Sequence, residues 1–250
     1  MLLETLEQDC RDWISSSKAL FMNEFDMQVK LCHYLTRARR CLMGAKHYDK
    51  VYVEYVVPKD MLNAQLAKFN DPQSAQYMNE FCKEGNMMRV DIVVEKDGEF
   101  AVVELKYAPA PVVQGMNRFG EDVPSPNTLI KDNPASTDVR YSYWDDVRRI
   151  EALTRFENVV GGIALMVSND RIYWKKPDGT PAYLPFSIHD GQGVGTQDWH
   201  WHNAPSATYP PFNVDGEYTC EWGNTQIQAR AIKGGEPFRY LINKVEKIVK

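Results

Sequence analysis

Residues 88–107 read MRVDIVVEKDGEFAVVELKY: two runs rich in β-branched residues, 88–95 and 100–107, joined through Lys96-Asp97-Gly98-Glu99. Asp-Gly between alternating apolar runs signals a tight hairpin, because the matching turn needs positive φ at both central residues. A two-residue loop pairs Lys96 with Glu99, and counting outward sets Asp91 opposite Glu104 and Arg89 opposite Lys106. Side chains alternate along a strand. Arg89, Asp91, Val93, Val102, Glu104 and Lys106 are therefore expected on one face. Val90, Ile92, Val94, Ala101, Val103 and Leu105 should form the other, an apolar surface suited to packing on a helix.

Two directly opposed carboxylates destabilise a sheet unless one is protonated, both find cations, or a cation sits between them. An oxygen-rich, doubly anionic cleft suits Mg²⁺ or Mn²⁺. The plainer alternative is a charge ladder, since Asp91 lies diagonal to Lys106 and Glu104 diagonal to Arg89. Phe100, Val93 and Val102 on the same face imply partial cover, where an idle charge cluster would be costly.

Outward from the hairpin, the spacing of Phe21, Phe25, Val29 and Cys32, widened by Leu31, Leu35 and Leu42, predicts a helix over 18–44 stopped at Gly44. VYVEYVVP (51–58) reads as a strand, and 60–84 as a helical insertion. Residues 108–137 hold five prolines and little periodicity, as a lid or substrate-binding loop would. A helix is expected over about 142–158, with Ser142 and Asp145 as a capping box and Tyr143, Val147, Ile150 and Leu153 on one face. GGIALMVS (161–168) and RIYWKK (171–176) read as strands joined by Asn169-Asp170. Residues 177–237 are loop-rich and aromatic, and FRYLINKVEKIV (238–249) reads as an amphipathic helix.

The 250 residues, 44% apolar and 25% charged, suit one globular domain and exclude a wholly disordered chain. No apolar run reaches the ~20 residues of a membrane span. The first twenty residues lack a secretory pattern, and five scattered cysteines without CxxC spacing read as reduced. Together these imply a cytoplasmic protein. The net charge of −5 does not advertise a phosphate-binding face. Basic clusters at Arg37, Arg39, Arg40 and Lys46, at Arg148 and Arg149, and at Lys175 and Lys176 read first as solvated surface.

An acid in one strand, a short turn, Glu-Xaa-Lys in the next strand and a glutamate on the preceding helix resembles the PD-(D/E)XK nuclease superfamily. The residues that carry the likeness are Asp91 in RVDIVV and Glu104-Leu105-Lys106 in VVELKY, with Val90 in place of the proline of the motif's name. The helix and strand that follow fit the family's order, so the resemblance covers about residues 18–176. It implies an α/β fold with a restriction-endonuclease-like core, a central mixed sheet flanked by helices, and a C-terminal elaboration over 177–250. It further implies a nuclease in which Asp91, Glu104 and the Leu105 carbonyl hold Mg²⁺ or Mn²⁺ while Lys106 orients the attacking water or stabilises charge on the phosphate. The implied partner is nucleic acid, DNA ahead of RNA, with a homodimer favoured for double-strand cutting. A catalytically silent nucleic-acid- or protein-binding member of the fold is the alternative.

Glu24 matches the helical acid of that family, and Gln28 shares its helix face one turn on. Glu54 is the rival acid, interrupting an apolar strand. Arg89, Tyr143 and Arg149 are candidates for substrate contacts with Gln28. Trp199-His200-Trp201-His202 would set two imidazoles on one strand face, a zinc pair if His189 or Glu221 joined it. The same run also reads as an aromatic platform for bases.

Overall fold

The computed structural model describes residues 1–38, 46–68, 87–113, 116–123, 128–130, 136–195, 211–229 and 236–247. Two N-terminal helices, α1 (Leu2–Ser16) and α2 (Glu24–Arg37), precede β1 (Lys50–Pro58), α3 (Lys59–Lys68) and the hairpin β2 (Met87–Lys96)–β3 (Glu99–Tyr107). Short strands follow: β4 (Val112–Val113), β5 (Met116–Arg118), β6 (Glu121–Val123) and β7 (Thr128–Ile130). Then come α4 (Ser136–Leu153), β8 (Val159–Ser168), β9 (Gly193–Val194), β10 (Tyr218–Thr219), β11 (Trp222–Asn224) and β12 (Arg239–Glu246). Six strands form one mixed sheet in the order β1-β2-β3-β8-β12-β11, and only the β3–β8 pairing is parallel. The chain is thus an α/β protein whose mixed sheet is flanked by helices. No helix among the described residues is long and apolar enough to cross a membrane.

From the turn outward the hairpin forms in the expected register, with Lys96 opposite Glu99, Val93 opposite Val102 and Ile92 opposite Val103, but the pairing ends there, so the expected Asp91–Glu104 and Arg89–Lys106 pairs do not form. Asp97 and Gly98 both take positive φ, 52° and 82°. The central strands are covered on both faces. Ile92, Val94, Ala101, Val103, Leu105 and Leu165 pack beneath α1 and α2. Val93, Val102, Ala164 and Met166 pack beneath α4, whose Tyr143, Trp144, Val147, Ile150 and Leu153 are buried as the helical spacing requires.

Several expectations are corrected. Within the expected 18–44 helix the described residues form α2, which starts where the Asn23 side chain accepts the Asp26 N–H at 2.7 Å; the expected stop at Gly44 lies outside the described residues. Its buried stripe is Met27, Gln28, Leu31 and Leu35, whereas Phe25 and Val29 are 63% and 46% exposed. The 60–84 insertion is helical over Lys59–Lys68, and its continuation lies outside the described residues. Helix α4 begins before Ser142, so Ser142 and Asp145 are interior residues, not a cap. Residues 171–174 form a turn, and no strand forms over 171–176.

The expected C-terminal helix is β12. Phe238, Leu241, Ile242 and Val245 satisfy a helical period, but β8 presents a run buried on both sides with an open edge. Pairing along Arg239–Glu246 satisfies that edge and takes precedence.

Gly162 lets α4 and β3 approach β8. A Cβ there would stand 2.7 Å from the Val102 carbonyl oxygen and 2.7 Å from Ile150 Cγ2. Gly162→Ala is accordingly expected to lower stability by ~1–3 kcal/mol, measured by denaturant unfolding. An unchanged midpoint would contradict this packing.

Candidate functional site

The alternation of β2 inverts at Asp91. Ile92 and Val94 face α1 and α2, yet Val90, expected beside them, packs with Met88 on the α4 side. The β2–β3 pairing ends at Ile92–Val103, and β1 breaks at the same level, where Glu54 adopts φ 51° between the paired residues Val53 and Tyr55. Side chains take up the backbone groups freed there. Asp91 Oδ2 accepts the Leu105 N–H at 2.6 Å, and Glu24 Oε2 accepts the Tyr107 N–H at 2.7 Å. The Gln28 amide donates to the Asp91 carbonyl at 2.8 Å and to Glu54 Oε1 at 2.9 Å. The sheet is therefore opened locally and propped by α2.

Into this opening β3 projects Glu104 and Lys106, while α4 supplies Asp146 and Arg149. Lys106 Nζ lies 3.1 Å from Asp146 Oδ2. Arg149 lies 3.2 Å from Glu104 Oε1 and 3.4 Å from Asp146 Oδ1, and also donates to the Arg89 carbonyl. Its approach to Glu104 lacks hydrogen-bond alignment, so buried Glu104 Oε1 receives no hydrogen bond among the described residues. Four carboxylates (Glu24, Asp91, Glu104 and Asp146) thus face two cations, Lys106 and Arg149.

The titration shifts follow from that imbalance. Burial pushes Asp91 up to about 6; the Leu105 N–H opposes this, and the charges of Asp146 and Glu24 reinforce it. Burial drives Glu104 well above the usual carboxylate range despite Arg149. Burial likewise raises Glu24, against the pull of Lys106, and raises Asp146. For Lys106 and Arg149 burial disfavours the charge, but facing carboxylates outweigh it, Asp146 and Glu24 for Lys106 and Glu104 and Asp146 for Arg149. Both cations are therefore held more firmly charged.

A folded-state value raised above the unfolded one stabilises the fold at low pH and withdraws that stability as pH rises. For Asp91 the window runs from its model-peptide value near 4 to about 6. Metal-free protein is expected to melt higher at about pH 5 than at about pH 7.5, with Asp91 contributing on the order of 1–1.5 kcal/mol across that span. Asp91→Asn should flatten much of that slope. Thermal melts in EDTA across this range decide it, and a wild type that melts lowest at pH 5 would contradict it.

Of the residues expected from sequence, Asp91, Glu104, Lys106, Glu24, Gln28 and Arg149 meet here. Glu54 is exposed and joins only through Gln28. Arg89 is exposed and contributes its carbonyl, not a charge ladder, to the cluster. Tyr143 is 1% exposed, donates to Asn243 at 2.7 Å, and so anchors α4 to β12 within the core instead of facing a substrate. Arg148 and Arg149 are not solvated surface; Arg148 is buried and pairs with Asp145. His200 and His202 lie outside the described residues. Asp146 was missed. The i, i+3 spacing of Asp146 and Arg149 at the border of the apolar stripe was its only sequence signal, and it reads equally as a local surface pair.

Two carboxylates, a backbone carbonyl and water could hold a hard divalent ion. Among the described residues no three His, Cys, Asp or Glu side chains converge as a complete ligand set. The donor chemistry nevertheless fits, because among the described residues Glu104 Oε1 accepts no hydrogen bond and the buried carboxylates outnumber the cations that face them. No family model, no curated protein and no solved structure matches this chain.

Proposed function

We propose that the chain is a divalent-metal-dependent nuclease that hydrolyses phosphodiester bonds, with Asp91, Glu104 and the Leu105 carbonyl holding Mg²⁺ or Mn²⁺. The observation that carries this reading is the excess of buried carboxylates over cations at a break in the sheet, where among the described residues Glu104 Oε1 accepts no hydrogen bond although Arg149 stands 3.2 Å away. The order helix, three-stranded meander, crossover helix and parallel strand supports a restriction-endonuclease-like core, as the Asp and Glu-Xaa-Lys motif implies.

When bound, the ion would polarise the phosphodiester and lower the pKa of water. Lys106, held charged by Asp146, orients the nucleophile or offsets charge on the phosphate. Glu24 keeps β3 in place through the Tyr107 N–H, and Gln28 fixes the Asp91 backbone. Arg149 screens Glu104 in the metal-free protein, and on release it is positioned to contact the phosphate. Nucleic acid is the partner, and cutting both strands of DNA would call for a homodimer.

A second reading draws on the Arg149–Glu104 pair, which already places a cation where the metal would bind. There the cluster is a structural ion network in a silent binding protein. Labelled DNA and RNA incubated with Mg²⁺, Mn²⁺ or EDTA separate the two. Metal-dependent, EDTA-sensitive cutting abolished by Asp91→Asn supports the nuclease; intact substrates under every condition support the silent protein.

A further inference from the structure

A cavity of about 330 Å³ lies beneath β1 and β2, on the side of the sheet that faces α4. Its lining is mainly apolar and includes Tyr55, Val90, Phe100, Val102 and Phe156, with Gln65, Glu157 and Asn158 also on its wall. It shares its walls with the candidate site: Val90 directly precedes Asp91, and Val102 stands two residues before Glu104 on the same strand face. That separation is about 6.6 Å, roughly the reach of one nucleotide.

We propose that this cavity binds one unpaired nucleobase of the strand whose phosphate lies at Asp91 and Glu104, an inference that rests on the nuclease reading. Three aromatic residues, Tyr55, Phe100 and Phe156, line it, and aromatic side chains are the groups on which any base can stack. Glu157 and Asn158, exposed on its wall, carry polar groups of the kind that reads a base edge. An acyl chain would use none of these groups. A base held in a duplex cannot enter such a recess, so the substrate class is single-stranded or locally opened nucleic acid. Exposed Arg89, next to Val90, is placed to meet the strand's phosphates.

The test uses the full chain in EDTA, so that no strand is cut. Single-stranded oligonucleotides carrying one 2-aminopurine are compared with equally long abasic strands. Base-bearing strands are expected to bind roughly tenfold or more tightly than abasic ones, with a change in 2-aminopurine fluorescence. Val56 and Met61 line the cavity and are 37% and 54% exposed, so Val56→Trp or Met61→Trp can fill its mouth without disturbing the core. Each should reduce the preference for bases while sparing abasic binding. Equal binding of both strand types, or a preference unchanged in both variants, overturns the proposal. So does a fatty acid that binds the wild type, but not the variants, when oligonucleotides do not. Cleavage with Mn²⁺ is scored separately. Equal cutting of base-bearing and abasic strands removes the pocket's role and leaves the nuclease standing. Base-dependent binding with no cutting removes the nuclease and leaves a base-binding protein.

Discussion

In EDTA at about pH 7.5, Asp91→Asn is expected to melt at or above the wild type, although it alters a residue at the centre of the sheet. Asp91 sits among Glu24, Glu104 and Asp146 with its pKa pushed up to about 6 by burial, so its negative charge opposes folding. The asparagine keeps nearly the same shape, and its Oδ1 can still accept the Leu105 N–H. Mn²⁺ should reverse the order. At a hundredfold excess over its dissociation constant, metal is expected to stabilise the wild type by ~2.7 kcal/mol and the variant by much less. If the cluster were only an ion network, the substitution would cost stability in EDTA and metal would leave both proteins unchanged. Melts of the two proteins with EDTA and with Mn²⁺ separate these outcomes.

Lys106 carries the largest expected loss. Lys106→Met removes the cation facing Asp146 and Glu24, both largely buried, and leaves Arg149 as the one cation of the cluster among the described residues. Breaking a buried pair in this way costs ~3–5 kcal/mol. The loss should shrink as pH falls and those carboxylates take up protons. Cleavage by the folded fraction is expected to drop ~100- to 1000-fold. Lys106→Arg keeps the charge but not the compact ammonium, so it should recover stability more fully than activity. A Lys106→Met protein that is both stable and active would remove this lysine from the account.

The hairpin was legible because its information is local: Asp97-Gly98 dictates the turn and the turn dictates the register as far as Ile92–Val103, beyond which Asp91 reaches β3 through the Leu105 N–H. What failed depended on partners distant in sequence. Residues 238–249 fit a helix by period, and only the open edge of β8 makes Arg239–Glu246 a strand. Phe25 and Val29 fit a helical stripe that stays exposed among the described residues, while Met27 and Leu31 meet the sheet. Helix α1 carries its own stripe in Leu6, Cys10, Trp13 and Ile14, all buried, which the acidic residues between them obscure. Strict alternation misplaced Val90, because the inversion at Asp91 depends on Gln28 and Glu54 meeting the strand from elsewhere in the chain. Asp146 was hidden for the same reason: its partner Lys106 lies on another element.

The most direct measurement of the central claim is a crystal of the protein soaked in Mn²⁺ and examined by anomalous scattering. The account requires a peak within ~2.0–2.3 Å of one carboxylate oxygen from Asp91 and one from Glu104, with Arg149 withdrawn from Glu104. A map in which Arg149 still holds Glu104 and no manganese lies between the two acids would contradict it.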